Sequence, residues 1–162
     1  MIEVIAQYFS SALVVEPEIW NNNLNKFSKC YMIFDTGANM TSIDINLANR
    51  AGYKMVKSSI NFVTGIGGTV PAKYTIIPKF KLSGIDFGPM CVNVLDFPEQ
   101  YNVGAVLGLN FIKEFSISID FNESGGIIKM QPTFNINNIH KLNSFNLFNS
   151  RFGVFTLKED NT

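Results

Sequence analysis

The chain has 162 residues, 46% of them hydrophobic and 16% charged. That is enough apolar material for one packed domain and too much for a disordered chain. Lys plus Arg number 13 and Asp plus Glu number 13, so no cation excess is available to draw a nucleic-acid backbone, and little net charge keeps copies apart.

Other classes fall on local features. Apolar runs such as Ala12-Leu13-Val14-Val15 are far shorter than the ~20 residues of a membrane helix, so no membrane partner is expected. The opening Met-Ile-Glu-Val-Ile-Ala-Gln has no basic segment of the secretory kind. Only Cys30 and Cys91 are present, 61 positions apart, so the expected setting is a reducing, cytoplasmic one without a disulfide framework. Two cysteines and the single His140 supply no ordinary Cys/His zinc set. His140 stands far from any nucleophile-like motif, which argues against Ser-His-Asp or Cys-His catalysis.

Segments rich in β-branched and aromatic residues, bounded by Gly, Pro, Asn and Ser, predict strands over 4–9, 12–15, 31–34, 74–77, 92–95, 116–121 and 127–130. Residues 21–25, Asn-Asn-Asn-Leu-Asn, read as a polar loop tip. Asp44 is placed to cap a helix over 45–51 that Gly52 ends. A second short helix is predicted over 109–114, after Gly108. Ser116-Ile117-Ser118-Ile119-Asp120-Phe121 alternates strictly and turns through 122–126 into Ile127-Ile128-Lys129-Met130, a hairpin. From Phe134 onward the chain is rich in Asn and Phe with weak periodicity, as in an extra strand pair or a docked tail. Many short strands with close turns predict an all-β protein, a closed or sandwiched β-barrel with one or two short helices.

The segment that carries chemistry is Tyr31-Met32-Ile33-Phe34-Asp35-Thr36-Gly37-Ala38. An apolar strand runs directly into an acid, and a carboxylate there is costly unless backbone donors hold it. Gly37 lets the chain turn tightly enough to bring such donors round. The same three residues also make an ordinary Asx-type turn. Two further segments bear on the choice. Phe62-Val63-Thr64-Gly65-Ile66-Gly67-Gly68-Thr69-Val70 reads as a hairpin with a glycine-rich, apolar tip; no Lys-Ser/Thr follows, so it is no phosphate loop. Gly104-Ala105-Val106-Leu107-Gly108-Leu109-Asn110-Phe111-Ile112 reads as a short strand, a glycine and a helix start.

In order and spacing, Asp35-Thr36-Gly37-Ala38, Gly65-Ile66-Gly67-Gly68 and Ala105-Val106-Leu107-Gly108-Leu109-Asn110 resemble the retropepsin-like aspartic proteases, the single-lobe retroviral-type enzymes with cellular and bacterial relatives. The likeness spans roughly residues 5–131. It implies a closed, single-lobe acid-protease barrel over 1–131, followed by a C-terminal extension over 132–162 that the likeness does not cover. It also implies that Asp35 is catalytic, that Thr36 makes a cross-chain hydroxyl bond beneath the catalytic pair, and that Gly37 lines the substrate backbone. Ala38 and Asn39, with the flap tip Gly65, Ile66, Gly67 and Gly68, would then contact substrate. Retroviral members usually carry an Asp–Arg ion pair where this chain has Asn39 and Leu109. Loss of both partners together is far milder than loss of one, so a different bracing of the site is expected.

The chemistry implied by the resemblance needs two carboxylates sharing one proton. This chain has one Asp-Thr-Gly. Asp44 reads as a helix cap, Asp86 of Asp86-Phe87-Gly88 as a turn residue, and Asp120 as the polar face of a strand. A second copy must supply the other carboxylate, which makes the expected form a symmetric homodimer. The expected activity is that of an aspartic endopeptidase using water, without metal or organic cofactor, on an extended peptide held by main-chain bonds and apolar pockets. Ala38, Ile66, Val70 and Val106 are apolar candidates for that cleft, although each also suits ordinary core. The competing readings are a non-catalytic peptide-binding or dimerisation module on the same fold, and an unrelated barrel in which Asp35 is solvated and alone.

Overall fold

The computed structural model describes residues 1–56, 61–65, 68–98 and 103–133. Short extended segments dominate. β1 (Ile2–Phe9), β2 (Ala12–Val15), β3 (Glu18–Asn21), β4 (Lys26–Lys29), β5 (Met32–Phe34) and β6 (Ser42–Asp44) precede helix α1 (Ile45–Arg50). β7 (Asn61–Gly65), β8 (Gly68–Ile77), β9 (Phe80–Leu82), β10 (Ile85–Asp86), β11 (Met90–Leu95) and β12 (Ala105–Leu107) precede α2 (Leu109–Ile112). The hairpin of β13 (Phe115–Asn122) and β14 (Gly125–Pro132) follows.

The protein is mostly β, as its composition predicts. Ten strands form one sheet in the order β13-β14-β1-β2-β5-β12-β6-β11-β8-β7, and four form another in the order β10-β9-β3-β4. Among the described residues neither sheet closes on itself, in contrast to the closed barrel expected. The physical reason is a division of partners. β9 pairs with β3, which joins the β9–β10 and β3–β4 hairpins into a separate sheet instead of extending the larger one, whose edges are β13 and β7. Both sheets still contribute to one core: Val15, Met32, Ile43 and Leu107 from the larger meet Ile19, Phe80 and Leu82 from the smaller.

The period of two is clearest in β1, where Ile2, Val4 and Ala6 are buried while Glu3, Ile5 and Gln7 are exposed. At the β13–β14 turn, Gly125 has φ +153, and a Cβ there would sit 2.1 Å from the Ala6 carbonyl oxygen. Backbone packs on backbone at that point, which only glycine permits. The strands over 18–21 and 26–29, absent from the sequence reading, are held by tertiary contacts. The Trp20 and Phe27 rings meet edge-on at 5.3 Å, Lys79 lies 4.2 Å over Trp20 and Lys81 lies 3.7 Å over Phe27.

The two predicted helices are present and short. Asp44 caps α1, its Oδ1 accepting the Asn46 N–H at 2.8 Å. α2 makes a single turn and is seated by aromatic edges, with Phe111 5.2 Å from Phe80, 5.0 Å from Phe87 and 5.1 Å from Phe115. Among the described residues no helix is long and apolar enough to cross a membrane.

Two buried acids of high pKa tie stability to pH. Burial pushes the Cys30 thiol from its ordinary 9.0 up to about 12. Burial, and then the neighbouring Cys30, push up the Tyr53 hydroxyl, which donates to the Trp20 carbonyl at 2.6 Å. The folded state keeps both protons at a pH where the unfolded chain releases them. Their contribution is therefore complete below about pH 9 and is lost as pH rises toward 12, by at most about 1.4 kcal/mol per pH unit for each group. Urea midpoints measured at rising pH should fall through this window, and Cys30→Ala should flatten the fall. An equally steep fall in the variant would place its origin elsewhere.

Candidate active site

β5 sends Met32 and Phe34 into the core, so Ile33, and Asp35 one step past the strand, lie on its other face. β5 runs parallel to β12, with Ile33 opposite Val106 and Phe34 opposite Leu107. The ladder is extended by one bond, from the Asp35 N–H to the Leu107 carbonyl at 3.1 Å. The chain then turns. The Gly37 N–H donates to Asp35 Oδ1 at 2.7 Å, and the Ala38 N–H donates to the Asp35 carbonyl at 3.4 Å. This is an Asx-type turn, so the ordinary geometry and the candidate catalytic geometry are the same object. Asp35 and Ala38 are half-buried, whereas Thr36, Gly37 and Asn39 are exposed.

The segment after Asp35 is clamped to the start of α2. The Leu109 N–H donates to the Ala38 carbonyl at 2.7 Å, and the Asn110 N–H donates to the Asn39 carbonyl at 3.1 Å. Asn110 Oδ1 accepts both the Thr41 N–H at 2.7 Å and the Thr41 hydroxyl at 2.8 Å. Asn110 Nδ2 donates to the Cys91 carbonyl at 3.2 Å. The Thr41 hydroxyl oxygen in turn accepts the Gly108 N–H at 3.0 Å. A Cβ on Gly108 would lie 2.6 Å from the Met40 carbonyl carbon, so this approach requires glycine for room. Bracing thus comes from backbone bonds and from the Thr41 and Asn110 side chains.

Thr41 and Asn110 were not singled out by the sequence. They stand 69 positions apart, and only the pairing of β12 with β5 and β6 brings them together. The available signal was a polar pair flanking the two motifs, each member beside an apolar strand.

The glycine-rich tip is the end of a hairpin. β7 pairs with β8 through Gly65 opposite Gly68. Gly68 has φ +111, and the Thr64 and Thr69 hydroxyls meet at 2.9 Å. Ile66 and Gly67 lie outside the described residues, as does His140. Of the apolar cleft candidates, Val70 is exposed and Val106 half-buried. The other aspartates of the sequence reading are occupied. Asp44 caps α1 and also accepts the Phe97 N–H at 3.1 Å, Asp86 accepts the Gly88 N–H at 2.8 Å, and Asp120 pairs with Lys129 at 2.6 Å. Among the described residues no group of His, Cys, Asp and Glu is arranged to hold a metal ion.

A family model described as aspartyl protease matches residues 21–111. No curated protein sequence matches the chain. Among solved structures, a retropepsin-like aspartic protease from Rickettsia conorii is similar in fold, with a TM-score of 0.52 at 16% identity, over 78% of this chain and 88% of that one. EIAV protease, solved with the inhibitor HBY-793, gives a TM-score of 0.50 at 19% identity, over 67% of this chain and 92% of that one.

The clamp makes a measurable prediction. Asn110→Ala leaves the Thr41 N–H and hydroxyl without their acceptor and should cost about 1–3 kcal/mol in urea unfolding. Thr41→Val removes the hydroxyl from the same network. The double variant should lose less than the sum of the two single losses, because they share bonds. Strictly additive losses would show that the pair is not coupled.

Proposed function

This chain belongs to the aspartyl protease family, and from that premise we propose that it is a homodimeric aspartic endopeptidase, with its protease domain over 1–131 and an extension over 132–162. The observation that carries the reading is Asp35 itself. It is half-buried at the end of β5, held by the Gly37 N–H, and set in a segment locked to α2 by backbone bonds. Such rigidity suits a reacting group, since catalytic geometry tolerates little displacement.

In this reading two Asp35 carboxylates, one from each copy, share a proton across a two-fold axis. One accepts a proton from water, and the other donates to the carbonyl oxygen of the scissile peptide. Water adds to the carbonyl carbon, and the tetrahedral species then loses the amine, which takes up a proton as the peptide bond breaks. Thr36 braces the pair across the interface, and Gly37, Ala38 and Asn39 line the substrate backbone. The β7–β8 hairpin, whose paired strands end at Gly65 and Gly68, serves as the flap over the peptide. The exposure of Thr36 and Asn39 in a single chain agrees with surfaces awaiting a partner and a substrate.

Two experiments test the proposal. Asp35→Asn should lower peptide cleavage by about a thousandfold or more, because its side chain cannot carry the shared proton. A chain that binds extended peptides but cleaves none is instead the non-catalytic module. Mixing the wild type with excess Asp35→Asn tests the two-copy requirement. At constant total chain concentration, if each active unit needs two intact aspartates, activity after subunit exchange falls as the square of the wild-type fraction. A linear fall would mean that each copy works alone.

A further inference from the structure

β13 forms one edge of the ten-stranded sheet. It pairs with β14 on one side, and among the described residues no strand lies on the other. The Glu114 carbonyl accepts the Thr133 N–H at 3.0 Å, so along this antiparallel ladder Ser116, Ser118 and Asp120 also bond toward β14. Ile117, Ile119 and Phe121 then turn their N–H and C=O groups to the open side. Such an edge is a template for a further strand, and proteins usually blunt it with lysine, proline or a short length. β13 has eight residues, neither lysine nor proline, and a single acid, Asp120, that is already paired with Lys129.

The side chains agree with the backbone. Ile117 lies opposite Met130, and Ile119 lies opposite Ile128, which in turn lies opposite Val4. Met130, Ile128 and Val4 are buried, Ile117 and Ile119 only half-buried, and Phe121 is 64% exposed. The apolar face of the sheet thus runs one strand farther than its cover.

The chain itself supplies an occupant. Thr133 donates to the Glu114 carbonyl through its hydroxyl, at 2.8 Å, as well as through its N–H. The chain therefore leaves the described fold beside the start of β13. Residues 134–162 follow, a segment more than three times as long as β13 and without proline. It holds Phe134, Phe145, Phe148, Phe152 and Phe155, and runs such as Phe145-Asn146-Leu147 and Val154-Phe155-Thr156-Leu157 have the composition of strands. Tethered this near, it meets the edge at an effective concentration on the order of mM, far above that of a second copy in dilute solution.

We propose that residues 134–162 add a strand to the open edge of β13 and lay apolar side chains over Ile117, Ile119 and Phe121. The added strand closes the edge to other copies. It also steadies β13, which follows α2 closely, and so supports the helix that clamps the Asp35 turn. None of this depends on the peptidase reading.

Amide hydrogen exchange, resolved residue by residue by NMR, tests the proposal on the full chain carrying Asp35→Asn, which keeps self-cleavage out of the readout. The Ile117, Ile119 and Phe121 amides should exchange at least about a hundredfold more slowly than in an unstructured peptide, and equally so at low and high protein concentration. Two tail variants, Phe145→Ser with Leu147→Ser and Val154→Ser with Phe155→Ser, leave residues 1–133 unchanged. At least one of them should speed those three amides by about tenfold or more, with the interior Ile128 amide unaffected. Fast exchange at the edge when the tail is unaltered overturns the proposal. Slow exchange that appears only as the concentration is raised also overturns it, because a second copy then covers the edge. So does slow exchange that neither tail variant relieves. Cleavage plays no part in the readout, so the peptidase reading and this one stand or fall separately.

Discussion

The arrangement of the candidate site depends on one requirement: the polar groups of Thr41, where the chain leaves the exposed turn for the core, have to be satisfied. Thr41 is fully buried, and an unpaired donor there would cost as much as a lost hydrogen bond or more. Asn110 meets the need, accepting twice from Thr41 and donating once to Cys91. The Ala38 and Asn39 carbonyls are taken by the first N–H groups of α2, groups that a helix start leaves without partners of its own. Each side of the clamp thus supplies what the other lacks.

The rest of the fold keeps those two sides in place. β12 lies between β5 and β6, parallel to the first and antiparallel to the second, so Leu107 and Gly108 arrive directly beneath the turn at Asp35. α2 is too short to be stable alone. It is held by the Phe111 contacts with Phe80, Phe87 and Phe115. Those rings belong to separate segments, and one of them, Phe80, comes from the smaller sheet. The smaller sheet therefore helps to seat the helix that braces the aspartate, which links the division of strands between two sheets to the geometry of the site.

The uncharged Asn39 and Leu109 have a consistent place in this arrangement. With no acid at 39 there is no charge to desolvate and no cation needed at 109. Leu109 takes part through its backbone N–H, and Asn39 through its carbonyl, while the Asn39 side chain stays on an exposed residue.

Much of this was legible in the residues. The alternation of β13, the β-rich composition of β1 and β14, the Asp44 cap, the turn at Asp35-Thr36-Gly37 and the helix start after Gly108 are local patterns, set by side-chain period and backbone freedom over a few positions. The family follows from three such patterns in order. What the residues did not reveal is non-local. β3 and β4 are four residues each, and their ring and lysine contacts come partly from β9 and the residues just before it. Thr41 and Asn110 are ordinary polar residues until β12 pairs with β5 and β6. The division into two sheets depends on which strands meet. Local sequence determined which segments extend, turn and carry an acid. Only tertiary pairing decided which of them meet, because the energy of a buried hydrogen bond or ring contact belongs to both partners and neither sequence neighbourhood contains the other.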